Sequence, residues 1–395
     1  MILSYLFCIF VENEFEGTID MSYKQVIKQL EDNKLRREKG DLIAIPWNLP
    51  RLSNVLPGIE QGRYYLISAS PKAGKSQLCD FMFVFQPIDW LYENKDTNIS
   101  LKIFYFTLEM SKQSKIMAAI CHRLYTKYNV VISPQKLNSV FKEYVLEQDV
   151  LNIVKSEEFT NWLNNFNSIL TYYDHERNPY GIYKVLRAYA EHPDNGSYTY
   201  KTINWQNTDG TFTQKKVRDR YVPVRPNEYV LVVIDHIGLL QPEKEHLNLH
   251  AAINQFSNQY CLEMRDRWRY SPVIVQQQTA DSSKAQFTMR GDTIIDKIRP
   301  SSEGLADNKY TARDADLMMS LFYPYKYNIK HYEDLDLTRI GDNHREFMIN
   351  LNRNGISNAS LQLFFLGSSS YFEELPHTVT DFDYHKYEGI INKAK

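Results

Sequence analysis

The strongest chemical signal in this 395-residue chain is a run of eight residues, Ala69-Ser70-Pro71-Lys72-Ala73-Gly74-Lys75-Ser76. It follows an apolar stretch and opens a stretch with helical character. The pattern fits a phosphate-binding loop, x-x-x-x-x-G-K-[ST], with Ala69 where glycine is commonest. Such a loop needs a tight turn whose backbone N–H groups face phosphates at the positive end of a helix. Lys75 is then placed to reach β- and γ-phosphates and Ser76 to ligate Mg²⁺. Ser70, Pro71, Lys72, Ala73, Gly74, Lys75, Ser76 and Gln77 form the expected nucleotide-binding segment. The bland alternative is a chance G-K-S at a helix start. With only 15 glycines in the chain, below the usual ~7 %, a glycine here asks for a backbone reason.

Four further positions stand at the ends of apolar runs. Tyr229-Val230-Leu231-Val232-Val233-Ile234-Asp235 reads as a buried strand ending in an acid, placed to hold a Mg²⁺-bound water beside the phosphates. Glu109 ends Phe106-Thr107-Leu108-Glu109-Met110 on the same expected sheet edge, where it could polarise an attacking water as general base. Gln278 follows Val275-Gln276-Gln277 and could sense a γ-phosphate, although spacing does not decide which of the three glutamines points inward. Arg353, ahead of Asn354-Gly355, is a candidate arginine finger acting across a subunit interface. Each has a plain reading too: a helix N-cap, a capping acid, a solvated strand end, a surface arginine.

These groups need a scaffold, and the pattern supplies one. Strand signals at 64–67, 103–106, 169–173, 230–234 and 273–275 alternate with helix signals after 75, from about 111, near 179–191 and over 247–268. Further strands are expected at 317–322, 347–351 and 361–365. The alternation predicts an α/β fold with a mostly parallel sheet flanked by helices. Residues 193–228 are turn-rich and read as an inserted β-hairpin, and 279–313 as a long polar connection, a length that is usually functional. Residues 22–38 carry a short apolar stripe (Tyr23, Val26, Ile27, Leu30) on a helix expected to pack on something else.

The 46 Lys+Arg against 48 Asp+Glu leave a net charge of −2, which argues against a uniformly basic surface. Four cysteines lie far apart, with no zinc-like spacing, as in a reducing compartment. The apolar residues Met1 to Phe10 lack a preceding cation and a cleavage site, and are too few to span a bilayer. They are expected to be a dispensable leader before a start at Met21, in a soluble, cytoplasmic protein with no membrane contact.

The motif series as a whole resembles the RecA-like motor domain of DnaB-type (superfamily 4) replicative helicases. The matching pieces, in that family's order, are IPWNLPRLSNVLPGIEQGRYYLISASPKAGKS, FTLEM at 106–110, VLVVIDHIGLL at 230–240, PVIVQQQ at 272–278, Arg313-Asp314-Ala315-Asp316, and NRNG at 352–355. The resemblance implies a RecA-like P-loop NTPase fold over 41–370, after a leader and linker helix at 1–40 and before a C-terminal tail at 371–395. It implies ATP and Mg²⁺ as cofactors, with Ser76 and Asp235 at the metal, and Glu109, Asp235, Gln278 and Arg353 as catalytic groups. A homo-oligomeric, six-membered ring moving 5′→3′ on single-stranded DNA is implied, with a separate primase or loader as partner and a phage or mobile-element origin. Two departures stand out. Leu351 occupies the place of the family's usual lysine, and the family's N-terminal helical domain has no counterpart before residue 45. The Leu351 departure favours a rival reading, a recombination mediator of the same fold that remodels DNA without unwinding. A non-hydrolysing nucleotide-binding scaffold is a second rival.

Nucleic-acid contacts are expected in the loop 279–313. It holds Lys284, Arg290, Lys297, Arg299, Lys309 and Arg313 and, among its acids, Asp292, Asp296, Glu303 and Asp307. Repeated around a ring, its small cationic surplus would line a pore. Lys297, Arg299, Asn308 and Lys309 are the expected DNA-binding residues, Asn308 and Lys309 being the closest. The hairpin at 193–228, with Lys215, Lys216, Arg218, Arg220 and Arg225, is a secondary candidate, read as an outer-surface element.

Overall fold

Apolar runs of four to nine residues, covered by helices, build one large sheet. A computed structural model describes residues 21–208, 210–243, 248–282, 284–286 and 293–394. The leader, the start at Met21 and the loop charges Arg290 and Asp292 therefore lie outside or at the limit of the described residues. Strands β1 (Tyr65–Ala69), β2 (Ser100–Thr107) and β3 (Leu170–Tyr173) come first, then the hairpin β4 (Gly196–Gln206) and β5 (Phe212–Pro223). After these come β6 (Glu228–Asp235), β7 (Ser271–Gln277), β8 (Leu317–Phe322), the two-residue β9 (His331–Tyr332) and β10 (Leu335–Asp336), β11 (His344–Asn352), β12 (Ala359–Leu366) and β13 (Tyr371–Glu374).

Nine strands form the sheet in the order β13-β12-β11-β8-β1-β7-β6-β2-β3. The six from β8 to β3 are parallel, and β11, β12 and β13 extend the sheet antiparallel. All five residues of β1 and all six of β8 are buried. Burial of consecutive side chains, rather than alternate ones, is what helices on both faces impose. The hairpin forms its own two-stranded sheet.

Helix α1 (Met21–Glu38) belongs, with Asp96–Asn98, to a separate compact unit. Its Tyr23, Val26 and Leu30 are exposed. Helix α2 (Lys75–Asp80) starts at the phosphate loop and runs through a π-helical turn, Phe81–Phe85, into α3 (Gln86–Glu93). All five residues of that turn are buried. Helix α4 (Lys112–Tyr128) starts on Ser111, whose hydroxyl accepts from the Ser114 N–H, the usual N-cap bond. Helices α5 (Glu157–Ile169) and α6 (Pro179–Ala190) flank β3 in sequence. The helix expected over 247–268 is α7 (Leu249–Gln255), a π-helical turn (Phe256–Cys261) and α8 (Leu262–Trp268).

Residues 371–394, read from the sequence as a tail, hold the edge strand β13 and α9 (Asp381–Ala394). Tyr384 and Tyr387 of α9 are buried in a second apolar cluster with Tyr332, Leu337 and Phe364. Among the described residues no helix is long and apolar enough to cross a membrane.

Candidate nucleotide site

The phosphate loop connects the buried end of β1 to the start of α2. Two of its residues are left-handed, Lys72 (φ 68°) and Gly74 (φ 102°), and the Ala73 N–H returns to the Ser70 carbonyl at 3.2 Å. A side chain at Gly74 would carry φ strain and would meet the Phe365 ring at 3.2 Å. The loop is held from outside as well. The Arg345 guanidinium, buried between the rings of Tyr323 and Phe365, donates to the Ala73 carbonyl at 2.6 Å. Burial lowers the Arg345 guanidinium to about 10, so it stays charged at neutral pH. Gln77 donates to the Gly367 carbonyl at 3.3 Å. Ser70 and Ala73 are buried, Ser76 is half-buried, and Pro71 and Lys72 are exposed.

Parallel pairing brings the ends of β1, β2, β6 and β7 to one edge, where the expected acids meet the loop. Ser76 Oγ donates to Asp235 Oδ1 at 2.9 Å. Glu109 is half-exposed, with Oε2 at 3.9 Å from Nε2 of His236. An open cleft of about 730 Å³ is lined by Lys72, Lys75, Ser76, Glu109, Lys115 and others. Burial, then the Lys75 charge, hold His236 below the ordinary histidine range, which keeps the ring neutral beside the cleft.

Behind Asp235 lies a cluster that the sequence did not disclose. Lys115 Nζ, 1 % exposed, sits 3.0 Å from both Asp80 oxygens, 3.0 Å from Asp235 Oδ2 and 2.6 Å from Tyr105 Oη. Tyr105 Oη is in turn 2.8 Å from Asp80 Oδ1 and 2.9 Å from Asp235 Oδ2. Burial opposes the charge on Lys115, but Asp80 and Asp235 outweigh it and raise its pKa above an ordinary lysine's. Burial raises the Asp235 carboxyl, and the Lys115 charge and its hydrogen bond outweigh that, holding it below the usual carboxylate range. At Asp80 burial wins over Lys115, and its carboxyl is raised. Asp235 is thus pinned through Oδ2 and leaves Oδ1 to Ser76.

The three glutamines separate by strand alternation. Gln276 and Gln278 are buried, and Gln277 points the other way, 3.4 Å from His236. Gln278 donates to Ser68 Oγ of β1 at 2.8 Å and to the Ser301 carbonyl at 3.0 Å, bridging the loop-bearing strand to the 279–313 connection. Gln276 binds the carbonyls of Ala306 and Asn308 at 2.5 and 2.8 Å.

Arg353 is not brought to this site. Asn352 pairs with Leu317, and Leu317 with Tyr65, the first residue of β1, whereas the phosphate loop leaves the last. Arg353 therefore lies at the opposite edge of the sheet, exposed, and donates to the Arg313 carbonyl.

The expected DNA-binding residues also divide. Lys297 and Lys309 are exposed. The Arg299 guanidinium is held by the buried Glu346 carboxylate at 3.0 and 3.2 Å and by Tyr332. Asn308 is 2 % exposed, with its side chain donating to the His250 carbonyl and accepting from the Tyr310 N–H. Both side chains are engaged in bonds within the chain.

No family model and no curated relative matches the sequence. Among solved structures the chain is similar to one described as "ATPase Domain of G40P", at 18 % identity and a TM-score of 0.60, covering 91 % of this chain and 100 % of that one. It is also similar to "The Structure Of A DnaB-Like Replicative Helicase And Its Interactions With Primase", at 18 % identity and a TM-score of 0.59, covering 93 % of this chain and 70 % of that one. The fold is therefore the RecA-like α/β fold with a hairpin insertion that the motif series led one to expect.

Proposed function

We propose that the chain is an ATP-hydrolysing motor of the DnaB helicase type, assembling in a ring and translocating on single-stranded DNA during replication. The observation that carries this reading is the 2.9 Å bond from Ser76 to Asp235 at the mouth of the phosphate loop. A hydroxyl and an ionised carboxylate side by side at a helix start are the donors a hard divalent cation takes. Mg²⁺ held there by Ser76 and Asp235 would supply positive charge that offsets the negative charge of bound ATP's phosphates. Lys75 and the loop N–H groups hold the phosphates, and Lys115 and Tyr105 keep Asp235 turned toward Ser76. Glu109, exposed on the cleft, orients the attacking water and accepts its proton. Gln278 is bonded to both β1 and Ser301, so a change at the phosphates reaches the 279–313 connection through it.

Arg353, at the far edge of the sheet, would serve a neighbouring subunit's nucleotide, which is why a ring is proposed. Lys297 and Lys309 would contact backbone phosphates, while Arg299 and Asn308 hold the shape of the loop that presents them. A separate primase or loader and a cytoplasmic location accompany this reading. Leu351 is half-buried against the main core rather than presented as a cation, and this favours the remodelling reading as the rival.

The test is ATP turnover with and without single-stranded DNA, on the native chain and Glu109→Gln, with unwinding of a forked duplex alongside. DNA-stimulated turnover that Glu109→Gln abolishes, together with unwinding, is expected. Stimulated turnover without unwinding would move the assignment to a remodelling ATPase, and absence of turnover to a scaffold.

A further inference from the structure

The hairpin β4–β5 is welded at its base and bare along its arm. At the base, Tyr221 is buried, and its hydroxyl donates to the Ala190 carbonyl at 3.1 Å. Gly196 lies so close to the Tyr221 ring that a side chain there would collide with it. Trp268 of α8 donates to Tyr198 Oη at 2.8 Å. Both Tyr221 and Trp268 belong to the main core, so the ribbon leaves the domain at a fixed angle. Beyond the base, the described residues from Thr199 to Arg220 are exposed, apart from the half-buried Ile203, Asn207 and Val217.

The arm is not an ordinary polar protrusion. Tyr200 is 53 %, Trp205 48 % and Phe212 67 % exposed. Lys216 lies 5.0 Å from the Tyr200 ring, and Lys215 lies 4.6 Å from the Trp205 ring. The pairing Thr202↔Lys216 and Ile203↔Lys215 puts these two couples on opposite faces of the ribbon. Among the described residues neither Lys215 nor Lys216 has a carboxylate partner, in contrast to Lys201 with Asp219 and Arg218 with Glu191.

An ammonium beside an open aromatic face, repeated on two faces, complements a ligand that alternates anions with flat rings. That description fits a nucleic-acid strand with unstacked bases. A duplex offers phosphates but keeps its base faces covered. We propose that the β4–β5 ribbon binds single-stranded DNA, as a contact separate from the 279–313 loop. Lys215 and Lys216 meet phosphates while Tyr200, Trp205 and Phe212 stack on bases. The choice of DNA over RNA rests on the proposed motor function; the geometry itself does not depend on ATP turnover.

The test is fluorescence polarisation of a labelled oligo-dT with the full chain, without nucleotide, over a salt series. Lys215→Ala/Lys216→Ala should weaken binding about tenfold at low salt and flatten the log–log salt slope by about 1.4, at ~0.7 per phosphate contact on a single strand. Tyr200→Ala/Trp205→Ala should weaken it about tenfold or more with the slope unchanged. Both losses should persist in a Lys297→Ala/Lys309→Ala background, since distant contacts add. Unchanged affinity in both ribbon variants would overturn the proposal, as would equal affinity for duplex. Tighter binding of oligo-rU would overturn the choice of DNA. Loss of ATP turnover in Glu109→Gln leaves all these outcomes readable, so the two readings can fail separately.

Discussion

The cations behind the phosphate loop and the cations of the β4–β5 ribbon live in opposite solvents. Lys115 is fully buried and held by two carboxylates and a tyrosine hydroxyl. Lys215 and Lys216 are exposed and lie beside aromatic rings with no acid in reach among the described residues. A buried charge has meaning only through its partners, because unpaired it costs several kcal/mol. An exposed one contributes little to folding and is available to a ligand. The same residue type therefore builds the site in one region and advertises a surface in the other.

The largest effect should come from breaking the buried set. Lys115→Met leaves Asp80 and Asp235 facing each other without water, and should cost about 3–5 kcal/mol of stability. Urea unfolding would read this directly. Asp80→Leu/Lys115→Met removes one charge of each sign, so the cluster keeps its net charge and should recover at least half of the loss. A double variant as unstable as the single one would mean that packing, not charge, holds the cluster. Lys215→Ala/Lys216→Ala should leave the urea midpoint where it is.

Acid should act first on the dry region. Burial lowers His122 and His344 to about 4, while the unfolded chain titrates near 6.5. Between those values the unfolded state binds more protons, so stability falls as pH falls. At pH 5 each ring should cost about 2 kcal/mol relative to pH 7.5. His122 Nδ1–H donates to the Ser369 carbonyl, 3.0 Å away, in the turn next to Gly367 that seats Gln77. The acid loss should therefore also weaken nucleotide binding. A urea midpoint that is flat from pH 7.5 to 5 would contradict the burial of both rings.

What was legible in the sequence was local. The phosphate loop, Asp235, Glu109 and Gln278 each terminate a contiguous apolar run, and parallel pairing then gathers run ends at one edge. Lys115, Asp80 and Tyr105 were illegible because they come from α4, α2 and β2 and converge only through the sheet order. Lys115 read alone looks like any charged helix residue. The partner of Arg299 was illegible for the same reason: Glu346 lies 47 residues on. The strand β13 and helix α9 were missed because Tyr371–Glu374 carries two acids at a sheet edge, where a strand need not be apolar.

Asn308 and Lys309 carry the contrast into adjacent residues, with a smaller effect. Asn308→Ala should cost about 1–3 kcal/mol, since it strips partners from the His250 carbonyl and the Tyr310 N–H. Lys309→Ala should leave stability alone and lower the salt-sensitive part of DNA affinity. If Asn308→Ala were stable and defective only in DNA binding, the residue would be a phosphate contact after all.

The smallest effect belongs to Lys201, the ribbon lysine that, among the described residues, is paired with a carboxylate across the two strands. Lys201 Nζ is 2.9 Å from Asp219 Oδ1, with side chains 60 % and 39 % exposed. A water-washed pair of this kind contributes about 0–1 kcal/mol and is screened by salt. Lys201→Ala should therefore shift the urea midpoint barely, and less still at ~0.5 M salt, about three times the physiological ~0.15 M ionic strength. Its effect on DNA is the sharper reading. With its charge partly offset by Asp219, Lys201 should contribute less to the oligo-dT salt slope than Lys215 or Lys216. Asp219→Ala should release it and steepen that slope. A steeper slope in Asp219→Ala with unchanged stability would show that local pairing, rather than lysine position, decides which ribbon cations face a ligand.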